Sequence, residues 1–250
     1  MSVTTLALTA RYGARTVLHG INLVAAQGRM LGIVGPNGSG KSTLIKALAG
    51  LLRHEGQVLF GGTPVRPRSI GYMPQDLQTP QALTVLDVVL LGRLGQLGLR
   101  VRDDDLHAVR QALRALDIEA LAGRYLGELS GGQRQMVFLA QALVSQPSVL
   151  LLDEPISALD VRHQLEVLQV VRAMTRDRQL VTLVVLHDLQ AASRFCDDIV
   201  LLCDGRVLAS GTPAQVLTVA HIAQAFGVES ELLTCRDGTP VLVPQRPLPA

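Results

Sequence analysis

The stretch that decides the fold is "LGIVGPNGSGKST", residues 31–43. A short apolar run is followed by three closely spaced glycines and then by Lys41, one of only two lysines among the 23 basic residues of the chain. Since arginine is the cation that this chain otherwise uses, position 41 requires a property that arginine lacks. A lysine side chain offers a compact charge on a flexible stem, whereas arginine carries a planar guanidinium.

Residues 35–42 fit the phosphate-binding pattern G-x-x-x-x-G-K-[ST], and they lie between a predicted buried strand and a predicted helix. Glycines let successive backbone N–H groups converge on phosphates, and the helix N-terminus adds its positive end. Lys41 would reach the β- and γ-phosphates of a nucleotide, and Ser42 would place its hydroxyl on Mg²⁺. A glycine-rich turn without a ligand is the alternative, which other motifs must exclude. The predicted nucleotide-binding residues are Gly35, Pro36, Asn37, Gly38, Ser39, Gly40, Lys41, Ser42 and Thr43.

The amino-acid composition limits the classes of protein to which this chain can belong. With 250 residues, 48% of them hydrophobic, the chain can bury a large core. A net charge of +2 without basic blocks, and with few aromatic residues, gives no support for a nucleic-acid surface. The N-terminus lacks the pattern of a secretory signal, and no segment approaches the roughly 18 apolar residues that span a bilayer. We expect a soluble, cytosolic chain with three reduced, structural cysteines: Cys196, Cys203 and Cys235.

Four continuous apolar runs predict the strands of a parallel sheet. They are "LGIV" at 31–34, "VLLL" at 149–152, "VTLVVL" at 181–186 and "DIVLLC" at 198–203. Runs that are apolar on both faces are typical of strands buried between helices, so the core is expected to be α/β. Asp204 and Gly205 predict a hairpin turn, and "LFGGTP" at 59–64 predicts a second turn between antiparallel strands.

Helical periodicity fills the segments between these strands. Residues 81 to about 128 carry helical signals and no clear strand, which indicates a helical insertion within the α/β core. Two segments have a clear apolar face at three- and four-residue spacing. The predicted faces are Leu106, Val109, Leu113 and Leu116 in the first segment, and Val161, Leu165, Leu168 and Val171 in the second.

Two acidic residues and a histidine follow predicted core strands. Asp153 and Glu154 end the run "VLLLDEP", at the strand end where ligands of open α/β sheets bind. Asp153 would hold Mg²⁺, and Glu154 is the candidate general base or water-positioning group. His187 ends another strand and could contact the γ-phosphate, although a lone histidine is more often structural. A lone Asp-Glu pair is usually a solvated helix start, so these roles depend on the phosphate-binding loop.

The segment "LSGGQ", residues 129–133, predicts a second phosphate-binding helix end. Ser130 and Gln133 form a capping box that starts a helix with Met136, Ala140, Leu143 and Val144 on its apolar face. A capped helix does not need two glycines in its first turn, and each costs helix stability. We expect Gly131 and Gly132 to leave N–H groups bare for the close approach of an anion.

With this motif the sequence resembles the nucleotide-binding subunits of ABC transporters, over nearly the whole chain. The motifs come in the family's order: Tyr12 as the aromatic on adenine, "GPNGSGKST" as Walker A, Gln75 as the Q-loop, "LSGGQ", "LLLDEP" as Walker B, "SALD" with Asp160 as the D-loop, and His187 as the switch histidine. Ile156 departs from the threonine usual after "DEP", which puts the turn into the D-loop in doubt.

The resemblance implies a P-loop NTPase fold, with a mainly parallel sheet, an antiparallel β subdomain and an inserted helical subdomain. The expected division of the single domain 1–250 is a core of 1–75 and 146–250 and a helical subdomain of 76–145. The cofactors would be ATP and Mg²⁺, with Gln75, Ser42 and Asp153 at the metal and Glu154, His187, Gln75 and Lys41 in catalysis. One ATP would lie between the Walker A loop of one copy and Ser130, Gly131, Gly132 and Gln133 of a second copy.

The resemblance also implies partners. The chain would power a separate transmembrane permease from the inner face of the cell membrane, with a solute-binding protein acting indirectly and with no nucleic acid bound. The segment "LLGR" and the sequence around "DEPISALD" resemble those of the subfamily that imports iron-siderophore, haem and cobalamin, although the proline usual after "GR" is missing. An exporter, or an ABC ATPase acting on DNA or ribosomes, is the alternative. A P-loop kinase or GTPase would not explain "LSGGQ", and Glu154 and His187 speak against a binding module without turnover.

Overall fold

The computed structural model describes residues 1–64, 70–75, 81–96, 100–157, 159–236 and 238–249. The strands are β1 Ser2–Tyr12, β2 Arg15–Ala26, β3 Met30–Val34, β4 His54–Phe60, β5 Ile70–Met73, β6 Val149–Asp153, β7 Val181–Val185, β8 Asp198–Cys203, β9 Arg206–Gly211, β10 Val228–Thr234 and β11 Pro240–Pro247. The helices are α1 Lys41–Ala49, α2 Val85–Leu91, α3 Asp103–Ala115, α4 Gly131–Leu143, α5 Val161–Asp177, α6 Leu189–Phe195, α7 Pro213–Val216 and α8 Val219–Phe226. Within the described ranges no helix is both long and apolar enough to cross a membrane.

A six-stranded sheet in the order β5-β6-β7-β3-β8-β9 forms the centre of the fold. All neighbours are parallel except β8 and β9, so the predicted α/β fold with a mainly parallel sheet is confirmed. The four predicted apolar runs are β3, β6, β7 and β8. Because β3, β6 and β7 run parallel, the loops that follow them leave the sheet at the same edge.

Alternate side chains of the central strands enter two separate cores. In β6, Val149 and Leu151 pack with α1 and a three-stranded antiparallel sheet, β2-β1-β4. Leu150 and Leu152 of the same strand pack on the other face, with helices α2 to α6. Every residue of β3, β6 and β7 is buried, which explains why these strands read as continuous apolar runs.

The predicted Asp-Gly hairpin is present between β8 and β9. Asp204 has φ 48° and Gly205 has φ 71°, as the favoured two-residue hairpin turn requires. At the "LFGGTP" turn, Phe60 forms one antiparallel bridge with Thr63, and β4 finds its antiparallel partner in β1. Part of the chain after this turn, residues 65–69, lies outside the described residues.

Two predicted apolar faces differ from the observed ones. Val161 is 72% exposed because it is the first residue of α5, where the helix has not yet reached the core. The buried face of α5 is Val167, Leu168, Val171 and Met174. In α4, Val137, Phe138 and Leu139 are buried as well as the predicted Ala140 and Leu143, while Met136 is only partly buried. This helix packs against α2, α3, α5 and β5, so a single apolar stripe does not describe it.

The C-terminal segment forms a hairpin of β10 and β11 that packs on α8 and α6. Gln190 Nε2 donates to the Leu242 carbonyl at 2.7 Å, and Ser193 Oγ donates to the Pro240 carbonyl at 2.7 Å. The sequence pattern predicted neither strand of this hairpin. Both of these donors lie on α6, the helix that follows His187.

We expect Gly92→Ala to destabilise the protein, because α2 ends where its backbone meets α4. A Cβ at Gly92 would collide with the Gln141 carbonyl and would lie 2.7 Å from Val144 Cγ1. Overpacking of this kind costs about 1–3 kcal/mol, measurable as a drop in Tm. Gly95→Ala, where a Cβ would meet no atom of the described residues within 4 Å, is the control. Equal Tm values for the two variants would contradict the close α2–α4 contact.

Candidate functional site

Three glycines with positive φ shape the loop between β3 and α1. Gly35 has φ 148°, and a Cβ there would collide with the Leu202 carbonyl. Gly40 has φ 100°, and its Cβ would lie 2.5 Å from Leu18 Cδ2. At Gly38, with φ 79°, a Cβ would meet none of the described atoms within 4 Å. The loop is therefore packed tightly at both ends and open in the middle, as a phosphate cradle must be.

Lys41 is folded back over this loop. Its Nζ donates to the carbonyls of Gly35 and Pro36, each at 2.9 Å, and the residue is only 5% exposed. Burial lowers the pKa of Lys41, against the opposing effect of Glu154 and Asp153. A buried cation with two carbonyl partners gains from the arrival of an anion, since a full negative charge is the stronger partner.

Ser42 and Asp153 meet across the sheet edge. Ser42 Oγ donates to Asp153 Oδ1 at 3.0 Å, and Asp153 is 1% exposed. Its second oxygen, Oδ2, is buried without a hydrogen-bond partner among the described residues. Burial raises the pKa of Asp153, partly offset by the hydrogen bond from Ser42. A buried carboxylate oxygen beside a hydroxyl is the kind of donor pair that a hard divalent cation takes, so these residues fit Mg²⁺.

Two side chains, one following β5 and one following β7, converge on Glu154, which follows β6. Gln75 Nε2, after β5, donates to Glu154 Oε2 at 2.8 Å. His187 Nε2, after β7, is hydrogen-bonded to Glu154 Oε1. Glu154 has φ 55°, a left-handed conformation that is costly outside glycine and typical of functional turns. Both oxygens of the predicted base are thus occupied by the two residues predicted to act with it.

Tyr12 lies at the end of β1, with its ring half exposed. Burial raises the pKa of the nearby Tyr72 to about 12, with smaller contributions from Asp153 and from Tyr12. An exposed aromatic ring of this kind can stack on a planar ligand.

The helix α4 starts as predicted, with Ser130 and Gln133 in a capping box. The Gln133 N–H donates to Ser130 Oγ at 3.3 Å, and the Ser130 N–H donates to Gln133 Oε1 at 3.1 Å. A Cβ at Gly131 would lie 3.6 Å from Leu159 Cδ2, whereas a Cβ at Gly132 would collide with the ring of His163. The sequence predicted that both residues are glycine in order to leave backbone N–H groups bare. At Gly132 the close contact with His163 is a second reason for glycine.

Asp160 caps the next helix, α5. Its Oδ1 accepts from the His163 N–H at 2.9 Å and is 2.8 Å from His163 Nδ1. These hydrogen bonds lower the pKa of Asp160. The carboxylate therefore belongs to the start of α5 in this structure, beside the first turn of α4.

Residues 18–157 match the family model described as ABC transporter. The chain belongs to the ABC transporter family. It is 43% identical to the hemin import ATP-binding protein HmuV of Pseudomonas fluorescens over 247 residues, which covers 93% of this chain and 96% of that relative. It is 35% identical to the iron(3+)-hydroxamate import ATP-binding protein FhuC of Bacillus subtilis, with 93% and 90% covered. A solved metal-chelate type ABC transporter in an inward-facing conformation superposes with a TM-score of 0.87 at 28% identity, covering 98% of this chain and 97% of that one.

This ABC subunit is an ATP-binding ATPase, and its predicted site residues fall into two groups. Lys41, Ser42, Gln75, Asp153, Glu154 and His187 lie together around the carboxyl edge of the sheet. Ser130, Gly131, Gly132, Gln133 and Asp160 lie together where α4 and α5 begin. Among the described residues no hydrogen bond or ion pair links the second group to the first group.

Two residues of the ABC subunit were missed by the sequence analysis. Gln135 is buried in α4, and its Nε2 donates to the Pro155 carbonyl in a short hydrogen bond. His163 fills the space that Gly132 leaves. No sequence pattern singles out Gln135, because Gln133, Arg134 and Gln141 on the same helix are polar as well. Ile156, the departure from the family's threonine, is buried in the helical core, which favours an apolar residue there.

We expect Asp153→Asn to raise the stability of the protein without nucleotide and to remove the Mg²⁺ dependence of ATP binding. The raised pKa means that burial disfavours the ionised form, so above that pKa the charge costs stability and the neutral amide removes the cost. Without nucleotide at neutral pH, the variant should have a higher Tm than the parent. Its ATP affinity, measured by titration with and without Mg²⁺, should lose the dependence on the metal. A lower Tm, or Mg²⁺ dependence equal to that of the parent, would contradict this reading of Asp153.

Proposed function

We propose that this ABC ATPase powers the import of a metal chelate, of the iron-siderophore, haem or cobalamin type, through a separate transmembrane permease. The observation that carries the catalytic part is the convergence of Gln75 and His187 on Glu154, beside Lys41 and the Ser42–Asp153 pair. The import direction and the cargo class are supported by the hemin and iron-hydroxamate relatives.

Each residue of the first group has a role that its surroundings support. Lys41 and the loop from Gly35 to Thr43 bind the β- and γ-phosphates, and Tyr12 stacks on adenine. Ser42, Asp153 and Gln75 hold Mg²⁺, which neutralises phosphate charge when bound. Glu154 takes a proton from the attacking water, and His187 contacts the γ-phosphate.

The hydrogen bonds at Glu154 define a resting state of the site. While Gln75 and His187 each hydrogen-bond one carboxylate oxygen, part of the acceptor capacity of Glu154 is used, which makes it a weaker acceptor of a proton from water. A γ-phosphate is a stronger hydrogen-bond acceptor for His187 than the Glu154 carboxylate, because the phosphate is multiply charged. Nucleotide binding would therefore draw His187 away and free the base.

The second group completes the site of another copy. Ser130, Gly131, Gly132, Gln133 and Asp160 would contact the nucleotide held by the Walker A loop of a second chain. In such a head-to-tail dimer the γ-phosphate is held from both sides, so hydrolysis removes the contact that keeps the dimer closed. In this proposal segment 76–145 moves as a helical unit against the core of 1–75 and 146–250.

The permease is proposed to dock where α2 ends. Of the apolar residues in segment 83–99, Val85, Val88 and Val89 are buried in the helical core, while Leu91 and Leu94 are exposed. Part of this segment, 97–99, lies outside the described residues. This exposed apolar corner at the end of α2 would receive an element of the permease and pass its movement to the ATP site. The subunit would then lie on the inner face of the membrane, with a solute-binding protein delivering cargo on the other side.

We expect Glu154→Gln to bind ATP with Mg²⁺ as the parent does and to trap a closed homodimer. Loss of the base removes roughly 100-fold or more of the hydrolysis rate, because general-base catalysis contributes at least that much. Phosphate release and size-exclusion chromatography with ATP measure the two effects. Hydrolysis at the parental rate would show that Glu154 is not the base.

We expect Ser130→Arg, introduced into the Glu154→Gln variant, to prevent the two copies of the chain from forming the closed dimer. A bulky side chain at the start of α4 should abolish the ATP-dependent dimer while leaving the ATP affinity of the monomer unchanged, since the side chain of Ser130 hydrogen-bonds within its own helix, to the N–H of Gln133. If the monomer of this variant lost ATP binding, the proposed role across the dimer would be wrong.

Docking of a permease predicts that Leu94→Glu removes a membrane partner. The matched control is Leu51→Glu, because Leu94 and Leu51 are each 64% exposed but Leu51 lies after α1. The tagged chain is recovered from gently solubilised membranes, and the integral protein that accompanies it is identified. The Leu94 variant should lose this protein and the Leu51 variant should retain it. Recovery of ribosomes or nucleic acid in its place would favour a non-transport ATPase.

A further inference from the structure

The two glycines of "LSGGQ" lie on the segment where α5 begins. A Cβ added to Gly132 would lie 2.9 Å from His163 Cγ and would collide with Cδ2 of the same ring. A Cβ added to Gly131 would touch only Leu159 Cδ2, at 3.6 Å, among the described atoms. The backbone of the first turn of α4 therefore rests directly on the imidazole of His163.

The opposite edge of this imidazole is held by Asp160. Nδ1 lies 2.8 Å from Asp160 Oδ1. An ionised carboxylate has no hydrogen to donate, so Nδ1 must carry the proton and act as the donor. The same Oδ1 accepts the backbone N–H of His163 at 2.9 Å, which fixes the carboxylate as well. The ring is thus held at its Nδ1 edge and contacts Gly132 with its Cδ2 edge.

We propose that His163 is a positioning residue for the half-site that the chain offers to the nucleotide of its partner. It fixes the first turn of α4 and Asp160 as one rigid unit, so that the backbone N–H groups of Gly131 and Gly132 and the Asp160 carboxylate face the nucleotide in a set arrangement. This inference rests on the proposed function, in which Ser130, Gly131 and Gly132 serve a second copy.

The position of His163 favours this role over simple filling of space. Its side chain is 37% exposed and forms part of the wall of a cleft of about 480 Å³ between α4 and α5. Removing the ring widens an open cleft and leaves no buried cavity, so the fold should lose little stability. A half-site that must meet a γ-phosphate, in contrast, depends on the placement of its N–H groups to within about 1 Å.

The same stretch of α4 has a second anchor two residues beyond Gln133. Gln135 Nε2 donates to the carbonyl of Pro155, directly after Glu154. With His163 at one side and Pro155 at the other, the start of α4 is fixed to the segment 155–163 of its own chain. The half-site offered to the partner is therefore tied to the turn that carries the chain's own base.

The test uses His163→Ala in the Glu154→Gln background, with Arg162→Ala as the matched control. Arg162 lies one residue earlier in α5, and its side chain pairs with Glu166 at the surface. Loss of a positioning contact should weaken ATP-dependent dimerisation about tenfold for His163→Ala, without changing the ATP affinity of the monomer. Arg162→Ala should dimerise as the Glu154→Gln parent does.

The outcomes separate this inference from the proposed function. If the Glu154→Gln parent failed to dimerise with ATP, the proposed function would be at fault and not the role of His163. If the parent dimerised and His163→Ala dimerised equally well, the positioning role would be overturned. A loss of dimerisation accompanied by an equal loss of monomer ATP affinity would also overturn it, since it would indicate general unfolding.

A stability cycle tests the contact itself. Gly132→Ala should lower Tm in the parent, because the methyl group collides with the imidazole, and should lower it less in His163→Ala, where the ring is gone. The four proteins are compared by thermal unfolding without nucleotide, where dimerisation plays no part. An equal drop in both backgrounds would show that Gly132 does not rest on His163.

Discussion

The parallel pairing of β3, β7 and β6 is the constraint on which the rest of the structure depends. Met30 to Ile33 pair with Thr182 to Val185, and Leu150 to Asp153 pair with Thr182 to Val185 on the other side of β7. This register delivers the phosphate loop, the acidic turn and the switch histidine to one edge. A slip by one residue would exchange the two cores, so the packing of Leu and Val side chains fixes the geometry of the site.

Burial of the charged groups of Lys41 and Asp153 costs free energy, and a bound nucleotide would reduce this cost. Burial lowers the pKa of Lys41 and raises that of Asp153, so each group is disfavoured in its charged form. Their attraction to each other offsets only part of this, because burying an ion pair rarely gives a net gain. Phosphate oxygens would give Lys41 charged acceptors in place of two carbonyls, and a cation would give Asp153 Oδ2 the partner that it lacks among the described residues. Folding therefore leaves the site prepared for ligand, and ligand binding in turn stabilises the folded state.

Local patterns predicted the four buried core strands β3, β6, β7 and β8, together with one turn and one helix cap, because the causes of these features are local. A strand buried on both faces reads as an apolar run, and the Asp204–Gly205 turn and the Ser130–Gln133 cap each depend on a few adjacent residues. The burial of α4 on several sides, the exposure of Val161 and the contact of Gly132 with His163 depend on which elements meet in space. The two strands of the C-terminal hairpin were missed because prolines in β11 argue against a strand, although an edge strand tolerates them.

In the proposed dimer, α4 offers its first turn to the partner's nucleotide, so this turn must be held firmly by its own chain. In α4 the two signature glycines leave the backbone bare, which weakens the helix where the partner's nucleotide would bind. The capping box, the imidazole of His163 and the hydrogen bond from Gln135 to Pro155 instead hold this first turn in position. Two of these three supports come from the segment that follows Glu154. In a closed dimer, movement of the base turn in one copy would therefore shift the half-site at the other nucleotide, through contacts within a single chain.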